Sequence, residues 1–251
     1  MTTKPLIDSI DVQEHSVNED SNLITQDTRY RGEPGDILAY FAKPRGDSRL
    51  PAVIVIHENR GLVPHIKDVA RRVASKGFLA LAPDALSPLG GTTQDLIAKD
   101  EVPALIQKLD SQQTVKDFIA AVKYLKTHPQ STGRVGVRGF CWGGGVANQL
   151  AVNSPDLLAS VPFYGRQPSP EDVHRIRASL LLHYAGLDER INEGIPTYEA
   201  ALKKASVDYR IFMYEGAGHA FFNDTGSRYN EDAAKLAWER TINFLKEKLK
   251  T

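Results

Sequence analysis

Apolar positions recur along this chain in two rhythms that take turns. Residues 51–57 (PAVIVIH) form an unbroken apolar, β-branched run, the pattern of a strand covered on both faces of a parallel sheet. Residues 65–76 (HIKDVARRVASK) follow with apolar residues at helical spacing, and Gly77 stands where a C-terminal cap is expected. The pair then returns. Residues 78–82 read as a buried strand, and a Gly/Pro-rich loop (SPLGGT) with a polar helical region leads into a helix over 114–127. Further strands are expected at 134–140, 158–164, 179–185 and 209–214, and helices at 143–152, 195–205 and 231–249. The last helix presents Leu236, Trp238, Ile242 and Phe244 as apolar surface, and an earlier strand falls at 36–42 (DILAYFA).

Such alternation predicts an α/β fold, with a mostly parallel central sheet and helices on both faces. Residues up to about 22 are polar and without period. Residues 1–30 are therefore read as an N-terminal arm and first strand region, and 31–251 as a single domain. Function in such sheets gathers in the loops at the carboxyl ends of the strands, so candidate chemistry is sought there.

Composition narrows the choice. With 41% hydrophobic residues in 251, the chain holds enough apolar surface for one substantial core without metal, disulfide or partner. Lys+Arg 31 against Asp+Glu 31 leaves no basic excess, so neither nucleic acid nor an anionic membrane surface is an expected partner. The apolar runs are too short to span a bilayer. The single cysteine forms no internal disulfide, and MTTKPLIDSIDVQEHS lacks the apolar run of a signal peptide, so a cytoplasmic location is expected. The sequon at residues 223–225 is then coincidental.

That one cysteine, Cys141, sits in GFCWGGG between a predicted strand and a predicted helix. Strand, G-x-C-x-G and helix make a nucleophile elbow, a turn so sharp that the residues two before and two after the nucleophile leave no room for a Cβ. A helix N-terminus also favours the thiolate, the attacking form. The spacings of a Rossmann loop and of a P-loop are absent. A cysteine nucleophile needs a base, and the base an orienting carboxylate, in the chain order nucleophile, acid, base. Asp188 follows the strand SLLLHYA and His219 follows the strand YRIFMY, in that order. Gly-x-Asp is also an ordinary turn sequence, so Asp188 stands out by its place rather than by its neighbours. His183 lies within an apolar strand and reads as a core residue, while His15, His128 and His174 lie in polar segments and read as solvated. One oxyanion donor is expected from the N–H of Trp142 and a second from the loop after residues 51–57, which reads His57-Glu58-Asn59-Arg60-Gly61. Its H-E pair lacks the second histidine of H-E-x-x-H, so no metal is expected, and the proposed chemistry calls for no cofactor.

These motifs together resemble the dienelactone hydrolase (carboxymethylenebutenolidase) family of the α/β-hydrolase superfamily. The resemblance runs from about Asp36 to the end and is carried by HENRG, GFCWGGG, AGLDE and GAGHAF. It implies an α/β-hydrolase fold and a hydrolase of small esters or lactones acting through Cys141, His219 and Asp188. It also implies that Glu58 contacts the resting thiol and helps generate the thiolate when substrate arrives, and that the loop's oxyanion donor is the N–H of Asn59. Family members acting on dienelactone hold its free carboxylate with two arginines; the corresponding places here hold Pro88 and Asn223. Asn223 stays a candidate substrate contact, and Arg60 and Arg166 are candidates for a relocated anion site. A reading from another class is a non-catalytic small-molecule-binding protein on the same fold.

Overall fold

In the computed structural model, residues 22–33 and 35–249 are described. They form eight strands: β1 (Leu23–Arg31), β2 (Asp36–Pro44), β3 (Leu50–Ile56), β4 (Leu79–Pro83), β5 (Ser131–Phe140), β6 (Leu157–Phe163), β7 (Ser179–Ala185) and β8 (Tyr209–Tyr214). All lie in one sheet of order β1-β2-β4-β3-β5-β6-β7-β8. From β4 onward every neighbouring pair is parallel, whereas β1 with β2 and β2 with β4 run antiparallel. The first strand region placed within residues 1–30 is β1, which runs to Arg31 and pairs along its length with β2. His15 lies outside the described residues.

The helices are α1 (Pro64–Ala74), α2 (Gln94–Ala98), α3 (Val102–Lys108), α4 (Ser111–Thr127), α5 (Trp142–Asn153), α6 (Glu189–Asn192), α7 (Ile195–Lys204) and α8 (Glu231–Lys248). β3 shows why its sequence lacks alternation: Val53 and Val55 meet the core under α1 and α8, while Ala52, Ile54 and Ile56 meet the core under α4, α5 and α7. Both faces of the strand are dry, so both must be apolar. α1 opens with Pro64 in its first turn and stops at Ala74, two residues before the expected end; Gly77 follows at φ 92°, where a residue with a Cβ would be strained. α4 begins three residues earlier than its apolar pattern, because the Asp110 carboxylate accepts the Gln113 N–H at 2.7 Å and caps it. On α8 the buried stripe runs through Ala233, Ala237, Thr241, Phe244 and Leu245, which leaves Leu236 exposed, against expectation.

His183 and Arg138 are among the polar side chains buried in the core. His183 is a core residue as read, with Nδ1 2.9 Å from the Tyr214 hydroxyl and Nε2 3.1 Å from the Thr241 hydroxyl. Arg138 is fully buried in β5, its guanidinium 4.7–5.1 Å from the ring centres of Phe140, Phe163, Phe222 and Trp238. Burial pushes its pKa down to about 9, and the four ring faces supply the attraction that a carboxylate would otherwise provide. Among the described residues no helix is long and apolar enough to cross a membrane.

Candidate active site

β5 lies near the middle of the sheet, and its last residue, Phe140, hands over directly to Cys141. Cys141 has φ 54° and ψ −114°, and the next residue opens α5. A non-glycine residue in this region costs on the order of 1–3 kcal/mol and persists only where its surroundings enforce it. Here the enforcement is visible. A Cβ on Gly139 would fall 2.1 Å from the Gly143 carbonyl oxygen, and one on Gly143 would fall 2.3 Å from the His57 carbonyl oxygen. The Cys141 N–H donates to the Phe163 carbonyl at 3.0 Å, tying the turn to the end of β6.

The loops past β7 and β8 converge on the sulfur. His219 Nε2 lies 2.9 Å from Cys141 Sγ, and its Nδ1 lies 2.5 Å from Asp188 Oδ2. A carboxylate only accepts, so Nδ1 carries the proton and Nε2 is left to accept from the thiol. The Leu187 N–H donates to the Ala217 carbonyl at 3.0 Å, binding the aspartate loop to the histidine loop. Asp188 is buried, and the His219 ring packs against Tyr164 with centroids 5.0 Å apart.

Glu58 is buried near the same sulfur, and Asn223 Nδ2 donates to its Oε2 at 2.8 Å. Burial first, and the Glu58 charge second, push the Cys141 thiol up from its ordinary pKa; the Trp142 N–H and Arg190 pull it down without prevailing, and Asp188 adds to the rise. The helix N-terminus was expected to favour the thiolate, but the desolvated setting and the carboxylate outweigh it.

Cys141 and Trp142 open onto a cavity of about 690 Å³ whose far wall comes from Leu109 and Val115 around the start of α4. Arg166 is the charged side chain among its described lining residues. Arg60 is not brought there: it is exposed and ion-pairs with Asp100. Asn223 is spent on Glu58 rather than aimed at the cavity lining. The SPLGGT loop does not line it either; Thr92 there accepts the Leu62 N–H at 3.1 Å and donates to buried Asp84 at 2.9 Å, bracing the loop that carries Glu58. His174 is exposed, but His128 is half-buried and stacks on Phe41 at 5.4 Å, which corrects its reading as solvated. The sequence reading passed over His57 except as part of a zinc motif, yet it is fully buried with its ring 5.3 Å from the Trp142 ring. The available signal was its place, at a strand end immediately before Glu58. Among the described residues no cluster of His, Cys, Asp and Glu fits a metal ion.

The model of the dienelactone hydrolase family matches residues 37–249. The chain belongs to the dienelactone hydrolase family. It is a carboxylic ester hydrolase of the dienelactone hydrolase type. Among its relatives, a protein of Saccharolobus solfataricus named "Putative carboxymethylenebutenolidase" is 35% identical over 254 residues, covering 86% of this chain and 96% of that protein. A Bradyrhizobium protein named "Probable 2-oxo-3-(5-oxofuran-2-ylidene)propanoate lactonase" is 35% identical over 222 residues, covering 83% of this chain and 88% of its own length. The crystal structure of a "Putative Dienelactone Hydrolase" from Klebsiella pneumoniae superposes with a TM-score of 0.79 at 28% identity, covering 90% of this chain and 99% of that one. The mostly parallel sheet expected from the strand and helix alternation, and the α/β-hydrolase fold that the resemblance implied, are thus the family's own.

Proposed function

We propose that this family member hydrolyses small esters or lactones by nucleophilic catalysis at Cys141. The observation that carries the reading is His219 bridging the Cys141 sulfur and the Asp188 carboxylate. In the resting enzyme the thiol holds its proton. When substrate enters the cavity, the proton passes to His219 Nε2 and the sulfur attacks the acyl carbon. The oxyanion is received by the N–H groups of Trp142 and Asn59, Asp188 steadies the imidazolium, and Glu58 assists the loss of the thiol proton. As the tetrahedral intermediate collapses the C–O bond breaks, and His219 returns the proton to the departing alkoxide. With a lactone this alkoxide stays tethered to the acyl group. Water, deprotonated by His219, then attacks the thioester, releases the acid and restores the thiol. These steps require neither metal nor cofactor.

Incubation with an activated aryl ester should add one acyl group to Cys141, detectable by mass spectrometry, and Cys141→Ala should abolish both adduct and turnover. A protein that binds small molecules without catalysis would show saturable binding and no adduct. Turnover unchanged in Cys141→Ala would reject the mechanism.

The names of the relatives supply the lactone in this proposal. Arg166, the cation at the cavity wall, is assigned to a carboxylate on the substrate. Arg166→Gln should raise KM about tenfold or more for esters bearing a free carboxylate and leave neutral esters of the same shape within about twofold. Equal effects on both would remove Arg166 from that role.

A further inference from the structure

We propose that His57 is the positioning residue of the oxyanion site, one imidazole that sets both backbone donors at once; this rests on the cysteine hydrolase reading above. The Ala85 N–H donates to His57 Nε2 at 3.1 Å. A backbone amide only donates, so Nε2 carries no proton and Nδ1 must. Nδ1–H therefore donates to the Glu58 carbonyl oxygen, 2.6 Å away. That oxygen belongs to the same planar, trans peptide unit as the Asn59 N–H, and in such a unit the two point in opposite directions. Holding the carbonyl holds the donor's aim, and a hydrogen bond to the carbonyl also polarises the N–H on the other side.

The second donor meets the same ring by another route. The Trp142 indole lies on the His57 imidazole, centroids 5.3 Å apart and planes within 15°. The residue that supplies the elbow's N–H is thus held against the residue that aims the loop's N–H. The loop is pinned beyond Asn59 as well, where the Leu62 N–H donates to Thr92 Oγ1 at 3.1 Å, so the segment between is anchored on both sides. His57 is fully buried and is not itself among the residues that line the cavity; it meets that lining only through the Trp142 ring. Its burial pushes its pKa down, which keeps Nε2 free to accept the Ala85 N–H. The ring thus acts on the reaction only through the two backbones.

Such a role predicts a loss confined to steps that develop an oxyanion. Acylation by an aryl ester develops one; alkylation of the same thiol by iodoacetamide does not. His57→Phe keeps a flat ring against Trp142 but removes both hydrogen bonds. It should slow acylation about 10–100-fold, less than or equal to the loss of an oxyanion donor itself. It should weaken inhibition by an aldehyde, whose thiohemiacetal oxygen occupies the oxyanion position, by a similar factor, with alkylation by iodoacetamide within about twofold of wild type. His57→Gln, which retains a side-chain donor for the Glu58 carbonyl, should recover part of the acylation rate, and it carries the same comparison if the phenylalanine variant fails to fold. Equal loss in acylation and alkylation, or loss in neither, overturns the proposal. Failure of the wild type to acylate at all would instead reject the hydrolase mechanism on which it rests.

Discussion

At Cys141 the proton on sulfur is contested by groups of opposite effect. Burial and the Glu58 carboxylate hold it on, and the Trp142 N–H and Arg190 draw it off. The first pair prevails, so the resting side chain is the thiol, the form that resists oxidation and stray electrophiles. Removing the Glu58 charge deletes one of the two main causes of the rise and leaves the other. In Glu58→Gln, whose amide oxygen still accepts from Asn223, the thiol pKa should fall. The alkylation–pH profile should move to lower pH, and alkylation near neutral pH should speed up severalfold. An unmoved profile would mean that the carboxylate does not feel the sulfur. The three side chains of the proposed triad were legible in the sequence at this scale, because each follows a predicted strand in the order its chemistry requires. His57 was not, because its role lies in which atoms its two nitrogens face, and a one-dimensional pattern carries no such direction.

The elements explain both the success and the misses. The turn between β5 and α5 is legible because its physics leaves marks at fixed distances: a positive-φ cysteine and glycines two residues to either side, where a Cβ would collide with backbone. Helix ends are less legible because they are decided by single hydrogen bonds. Asp110 starts α4 ahead of its apolar stripe, and α1 releases its last turn before Gly77. Arg60 and Arg166 look alike in sequence, each just past a strand. Only the packing separates them, since Asp100 draws Arg60 outward while Arg166 is left on the cavity wall. Leu236 departs from its reading, and Arg138 is a core residue on which the sequence pattern offered none. The leucine falls off the buried stripe of α8, and the arginine is carried inward with β5 because Phe140 of its own strand and three rings from elsewhere, Phe163, Phe222 and Trp238, surround it. No local window of sequence contains that enclosure.

Across the whole molecule, the alternation of strands and helices was enough to anticipate the parallel sheet from β4 onward, but the antiparallel β1–β2 edge depends on contacts far apart in the chain. One of them joins this edge to α4: the Tyr30 hydroxyl donates to the Asp117 carbonyl at 3.1 Å, and the Asp117 side chain, itself buried, accepts from Gln113 at 3.0 Å. Burial raises the Asp117 carboxyl from its ordinary value to about 6; the Glu33 backbone N–H pulls it down without prevailing, and the Glu33 charge adds to the rise. An acid whose pKa is higher in the folded chain than in the unfolded one contributes stability that is fully present below the unfolded pKa and lost as pH rises through the folded pKa. Near neutral pH the fold therefore carries a buried charge that the unfolded chain solvates freely, whereas near about pH 4 the folded carboxyl is protonated and the cost is absent. Asp117→Asn keeps the shape and a carbonyl acceptor but never ionises. It should match the wild type in thermal unfolding near about pH 4 and exceed it near neutral pH by at least about 1 kcal/mol, about 2–4 °C in Tm for a chain of this size. The gap should open as pH crosses about 6. A Tm difference that stays constant across that range would mean that the Asp117 carboxyl titrates alike in the folded and unfolded chains, and that its charge plays no part in docking the β1–β2 edge onto α4.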